Sequence, residues 1–414
     1  MIKKLLLLFF LFCFLSQSYS QGFDFKDHKK KYARIPFKLY NNLIIVPVLL
    51  NKGTDTLNFI LDTGVGYTMI TDSTFVDKLQ IPPHTRKVGV KGGGVGEVIY
   101  TYIVGSQQMV LNDFIAKNLT VLITSKSLEY ISQYVGIKIH GIIGFDFFRK
   151  LIVKINYQKK ELEVYDIHFF DKKILKKNKT NNILKLYIQK QKPYFLAKFI
   201  NENNDSINVK LLLDTGAGHS LSLDKESKKG ITLPSKTIDN SLGLAINGLI
   251  EGKMGRVKSL GIGQYYWKDV LCSFPDSLLI LHRNENVDKQ GSIGIGLLER
   301  FVITLDYSNE RFILEPNNKL NKKFDIGFSG VDVVSSPNNF TIYFVSNIHP
   351  LSPAYVSGLQ IGDELFAINN QVLTNMTISQ VYELLDSAEN KVLNLLVKRR
   401  GALQIIVFKT KRLI

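Results

Sequence analysis

The chain has 414 residues, 45% of them apolar and 11% aromatic, enough for two or three domains with cores of their own. That composition excludes a disordered or collagen-like chain. The formal charge of +17 comes from scattered basic residues, with the main cluster at 171–182 polar and free of aromatics, so nucleic acid is not read as a partner.

Residues 1–20 read as a signal peptide. Lys3 and Lys4 precede eleven unbroken apolar residues, Leu5–Leu15, and Ser18 and Ser20 stand at −3 and −1 of a cut before Gln21. Eleven residues fall short of the ~20 that a spanning helix needs. No later segment is long and apolar enough, so no membrane anchor is expected once the signal is removed. The expected location is the periplasm or exterior of a bacterium. The mature chain keeps one cysteine, Cys272, so no intrachain disulfide is expected. Its apolar flanks mark it as a packed side chain.

From residue 30 to 316 the chain reads as short strands: FKLYNNLIIVPVLL, TLNFILDTG, EVIYTYIVG, LIVKINY and ELEVYDI. These are rich in β-branched and aromatic residues and broken by Gly, Asn and Lys turns. One short helix is predicted over Ser73–Leu79. The chain also repeats itself. GIIGFDFFRKLIVKINYQKKELEVYD at 141–166 corresponds to GSIGIGLLERFVITLDYSNERFILEP at 291–316, with Gly141, Gly144 and Tyr157 matched by Gly291, Gly294 and Tyr307. Asp-Thr-Gly occurs in both halves, at 62–64 and 214–216, each time after an apolar strand. Two similar lobes are implied, 21–170 and 183–320, joined by a solvated linker over 171–182.

The repeated Asp-Thr-Gly has a chemical reason. An aspartate after an apolar strand is held at a fixed, partly desolvated point. Glycine lets backbone pass close by because it has no Cβ. The threonine hydroxyl can bond across to the partner loop. Two such loops meeting at a pseudo-twofold axis bring two carboxylates together. Like charges that close cannot both ionise, so the pair holds one proton. One carboxylate then acts as base on water while the protonated one donates to a carbonyl.

On these motifs residues 30–316 resemble an aspartic protease of the pepsin and retropepsin group, in single-chain form. The resemblance implies a mainly β, two-lobed acid-protease β-barrel fold with pseudo-twofold symmetry. GIIGFDFF and GSIGIGLL resemble the family's apolar-apolar-Gly element, which threads beside each catalytic loop. Asp62 and Asp214 would be the catalytic dyad. Thr63 and Thr215 would interlock the loops, and Gly64 and Gly216 would permit their approach. GVKGGGVGEV at 89–98 resembles the flap of the retroviral members, with Gly92, Gly93 and Gly94 at its tip. Tyr100 and Tyr102 are the candidates for a flap tyrosine. The pattern departs from pepsins after each Gly, where Val65 and Ala217 replace a hydroxyl residue. Without that hydroxyl the dyad should hold its proton to higher pH. His219 is read as a structural or rim residue. The scattered histidines carry no zinc spacing and there is no Gly-x-Ser-x-Gly, so no metal or organic cofactor is expected.

From about residue 325 the pattern changes. SPAYVSGLQIGDELFAINNQVL at 352–373 resembles a PDZ domain, a small α+β unit taken here as 325–414. A helix capped by Thr377, with Ile378, Val381, Leu384 and Leu385 on one face, and a final strand pair turning at Gly401-Ala402 fit that fold. Phe328, Ser329, Gly330 and Val331 are the nearest match to the family's carboxylate-holding loop. The resemblance implies strand addition of a peptide, with a C-terminal peptide as ligand. The whole reads as an aspartic endopeptidase acting as a monomer on peptide or protein substrates. The alternative is a gated or non-catalytic peptide-binding protein on the same fold.

Overall fold

A computed structural model describes residues 22–175, 182–225, 227–276, 287–325 and 327–414. The signal-peptide reading of 1–20 and the 176–181 part of the expected linker lie outside those residues. The fold is mainly β, with 47% strand and 11% helix in several sheets.

The acid-bearing strands explain the arrangement. Leu57–Leu61 and the end of Ser206–Leu213 are near-continuous apolar runs, the pattern of a strand buried on both faces. Each accordingly lies inside its sheet. Leu57–Leu61 pairs antiparallel with Leu43–Leu50 and parallel with Gly141–Ile143, which pairs antiparallel with Met69–Ile70. Ser206–Leu213 pairs antiparallel with Lys192–Ile200 and parallel with Gly291–Ile293, which pairs antiparallel with Leu221–Leu223. The two halves therefore share a strand order as well as a sequence repeat. Turn chemistry sets the hairpins. Asn41 and Asn42 both take left-handed φ, at 46° and 62°, between Lys38–Tyr40 and Leu43–Leu50, as a two-residue hairpin turn requires.

A third sheet joins the halves. Ile152–Asn156 from the first pairs antiparallel with Phe301–Asp306 from the second, with Val153 opposite Leu305 and Ile155 opposite Ile303. These are the repeat-related segments meeting their own copies. One apolar cluster accordingly runs through both halves, including Phe59, Leu61, Phe147, Leu211, Leu213 and Phe301. The short helix forms over Thr74–Lys78, within the predicted span. The start of the expected linker is not simply solvated. Ile167–Phe169 and Phe170–Leu175 form consecutive helical turns, and Ile174 and Leu175 of the linker pack against the buried cluster of Ile152, Tyr165, Phe170 and Ile313. The apolar residues in this basic stretch explain the difference.

Residues beyond 330 build a separate sheet, ordered Val331–Ser335, Tyr343–Ile348, Glu364–Ile368, Val392–Arg399, Ala402–Lys409. It has its own core, in which Val333, Val345, Ile378, Val381, Leu385 and Leu395 pack together. The helix Ile378–Leu385 starts at Thr377 with a full capping box to Gln380. The last hairpin turns one residue earlier than expected. Arg400 and Gly401 hold left-handed φ of 49° and 87°, and Ala402 already opens the strand. After Lys409 the chain returns to the other core, where Ile414 is buried and its carbonyl accepts from Arg256 Nε at 3.2 Å.

Gly144 shows how tightly the closing strands fit. A Cβ on it would collide with the carbonyl oxygen of Val65. Gly144→Ala is expected to cost about 1–3 kcal/mol, the range for forced overpacking, read as a lower urea midpoint with unchanged slope. An unchanged midpoint would contradict this packing.

Candidate active site

Each Asp-Thr-Gly turn is fixed at both ends by matching atoms. Asp62 donates its N–H to Ile143 O at 2.9 Å, and Asp214 to Ile293 O at 3.0 Å. Three residues on, Val65 O accepts from Phe145 N at 3.0 Å and Ala217 O from Ile295 N at 2.8 Å. The closing strands thus pin the loops to the sheets.

The loops then lock to each other. Thr63 N–H donates to Thr215 Oγ1 at 3.0 Å, and Thr215 N–H donates to Thr63 Oγ1 at 3.0 Å. Thr63 Oγ1 donates onward to Leu213 O at 2.6 Å, and Thr215 Oγ1 to Leu61 O at 3.1 Å. Both side chains are buried and every hydroxyl is used as donor and acceptor. Four hydrogen bonds related by the repeat hold two distant parts of the chain in register.

That register brings Asp62 and Asp214 into hydrogen-bonding contact. Gly64 N–H donates to Asp62 Oδ1 at 2.7 Å and Gly216 N–H to Asp214 Oδ1 at 2.9 Å. The glycines are needed because each faces the opposite acid: a Cβ on Gly64 would stand 2.8 Å from Asp214 Oδ1, and one on Gly216 would collide with the Asp62 carboxyl. Burial, then the adjacent Asp214 charge, hold the Asp62 carboxyl well above the usual carboxylate range. The Gly64 N–H and the Lys192 ammonium pull it down by less. The repeat-related phenols Tyr157 and Tyr307 are buried nearby, and burial first and surrounding acids second push both up. His219 bonds Ser292 Oγ through Nε2 at 2.9 Å, a tie between its loop and the closing strand. Cys272 is a buried free thiol that burial pushes up. No cluster of metal-ligating side chains occurs among the described residues.

The Gly-rich segment forms the tip of a hairpin between Lys87–Val90 and Ile99–Leu111. It meets a second hairpin, Thr237–Ala245 with Gly248–Ile262, whose turn carries Asn247. Asn247 is only 4% exposed. Its Nδ2 donates to Gly94 O at 2.9 Å and Gly96 O at 3.0 Å, and its Oδ1 accepts from Gly94 N at 2.8 Å. Val95 N–H donates to Leu249 O at 2.9 Å. A Cβ on Gly92 would fall 2.5 Å from Asn247 Oδ1, and Cβ atoms on Gly94 or Gly96 would collide with the second turn. Gly93 sits half-buried in the same loop. Sequence reasoning missed Asn247, although Asn-Gly between apolar runs is a hairpin signal. It also missed Tyr130, whose hydroxyl donates to Ile246 O. Ile246 and Val65 pack on one apolar cluster with Leu43, Ile45 and Ile131, which ties the hairpin tip to the Asp62 loop. Tyr100 is exposed, and Tyr102 lies under the Lys87 ammonium, 4.6 Å from its ring centre.

In the last domain Phe328, Ser329 and Gly330 lead into the edge strand, which begins at Val331. Gly330 turns the chain with φ of 73° against Ser352. Phe328 O accepts from Lys411 N at 3.0 Å. Ser329 and Val331 are buried.

A paired-aspartate site built on an internal repeat defines the class. The family model for the aspartyl protease matches residues 46–147, and the model for the PDZ domain matches residues 344–399. The chain therefore carries an aspartyl protease domain and a C-terminal PDZ domain. The first implies peptide substrates and the second peptide ligands. No curated protein matches the chain. The protease match spans Asp62 and its closing strand, while Asp214 joins through the structural repeat.

Asn247→Ala is expected to speed amide exchange at Gly94 and Val95 at least about tenfold, the equivalent of one or two net hydrogen bonds. Unchanged exchange there would show that the two hairpin tips do not hold each other.

Proposed function

We propose that the protein is an aspartic endopeptidase in which Asp62 and Asp214 share one proton and activate water. The observation that carries this is the reciprocal Thr63–Thr215 interlock, which presses the two carboxyl groups together. The ionised carboxylate takes a proton from water as the water oxygen attacks the scissile carbonyl. The protonated partner donates to the carbonyl oxygen. The tetrahedral adduct collapses as the leaving amine takes a proton from the dyad, with no covalent enzyme intermediate. The two halves are read as lobes, 21–170 and 183–320, around 171–182. Their hairpin tips act as a double flap over an extended peptide, and the PDZ domain occupies 325–414. The signal-like N-terminus supports export to the periplasm or exterior of a bacterium.

The pH dependence follows from the acids. Val65 and Ala217 offer no hydroxyl to stabilise an ionised carboxylate, and burial raises Asp62 further. Activity is expected to extend into mildly acidic or neutral pH. A rate maximum confined below about pH 3 would contradict this. Turnover of a mixed peptide library between about pH 3 and 8 tests the function itself. Asp62→Asn and Asp214→Asn are each expected to lower it at least about a hundredfold. Undiminished cleavage by either variant would overturn the reading.

Stability carries the opposite sign. A carboxyl whose folded pKa is raised binds more protons folded than unfolded at pH above ~3.9. Its contribution is full below that pH and is lost as pH rises toward the folded value. Asp62→Asn removes the loss. The inactive variant is expected to melt higher than wild type by on the order of 2 °C or more at pH 7.5, with the gap closing toward pH 3. A lower melting temperature at pH 7.5 would contradict the strain assigned to the dyad.

A further inference from the structure

A PDZ groove consists of a free strand edge, the helix beside it and a loop of amides that holds a terminal carboxylate. Here these are the edge strand Val331–Ser335, the helix Ile378–Leu385 and the loop from Gly327 to Val331. All three are already engaged. Ser329 donates its N–H and its Oγ to Asp386 Oδ1, at 3.1 and 2.9 Å, and Phe328 N–H also bonds that carboxylate. A Cβ on Gly327 would collide with it, so the loop is shaped around an acid of its own chain. On the strand, Val333 N–H donates to the Tyr382 hydroxyl at 3.1 Å, and that hydroxyl lies 3.2 Å from Val333 O as donor.

The edge is covered from the protease domain. The helix Glu129–Val135 packs along Val331–Ser335, and Ser335 Oγ donates to Gln133 O at 2.9 Å. Tyr134 lies in the field of Asp332 and beside Tyr382. Gly136 ends the helix with φ of 84°, and a Cβ there would stand 2.8 Å from Ile378 Cγ2. Asn41 N–H donates to Ser379 Oγ at 2.9 Å. The other end of the same helix carries Tyr130, bonded to Ile246 beside Asn247.

We propose that the PDZ groove is filled by the chain itself, by Asp386 in the carboxylate loop and by the helix Glu129–Val135 along the strand edge, so that the PDZ domain clamps the helix that steadies the hairpin tip at Ile246. A peptide ligand must displace both occupants, and doing so frees the tip through Tyr130. None of these contacts depends on catalysis.

The test reads amide exchange in the full chain and needs no cleavage. In wild type, segments 129–135 and 331–335 are expected to be protected together. Gly136→Arg, which drives a side chain into Ile378, is expected to speed exchange of both segments, and of 245–249, at least tenfold while 57–61 and 393–397 stay protected. Should that variant unfold, the pair Gly136→Cys with Ile378→Cys decides. It is expected to close a disulfide on mild oxidation and to slow both segments. Asp386→Ala is expected to speed exchange at Ser329, and a mixture of heptapeptides with free carboxyl termini, not amidated ones, to slow it again. The proposal is overturned if the two segments exchange independently, if the cysteine pair stays reduced, or if the free-acid peptides protect Ser329 equally in wild type.

Discussion

The site depends on four buried hydrogen bonds between Thr63 and Thr215 and the strands that precede them. Each threonine satisfies the other loop's N–H and carbonyl, so neither loop can be completed alone. Separating them would strand buried donors and acceptors, which costs more than the net value of the bonds when made. The interlock thus opposes the repulsion between Asp62 and Asp214, and the closing strands at Ile143 and Ile293 keep the backbone from yielding.

Electrostatics follow from that geometry. Two carboxyl groups forced into contact in a buried place favour one shared proton, and the raised Asp62 carboxyl expresses this. The glycines at 64 and 216 are part of the same design, since any Cβ would push the opposite acid away. The meeting hairpin tips use glycine likewise. Gly92, Gly94 and Gly96 admit Asn247, which replaces a broad apolar contact by a few directional bonds.

Much of this was legible in the residues. The repeat of Gly141–Tyr157 at Gly291–Tyr307 foretold that the halves would share a strand order, because strand pairing follows apolar pattern and turn chemistry, both local. The threonine interlock was legible because only a hydroxyl can serve both loops. Asn247 and Tyr130 were not, since their partners lie 153 and 116 residues away in sequence and, unlike the repeated Asp-Thr-Gly that marks the threonines, no repeated motif marks those contacts. The loop at Phe328–Val331 was placed by its position before the edge strand, but Asp386 lies 57 residues from Ser329. A carboxylate placed to fill that loop has no signature until the helix is folded beside it. The turn at Arg400-Gly401 was displaced by one residue because arginine seldom takes a left-handed φ.

The PDZ domain has its own core yet returns Ile414 to the protease domain, where Arg256 Nε donates to its oxygen at 3.2 Å. With the helix Glu129–Val135 on its other side, it is tied to both halves of the repeat. The central claim remains the shared proton. The most direct measurement is a carbon-13 titration of the Asp62 and Asp214 carboxyl carbons in the resting protein. The account predicts two well-separated apparent steps, with one proton retained well above the ~3.9 of a free aspartate. Two independent ionisations near that value would contradict it.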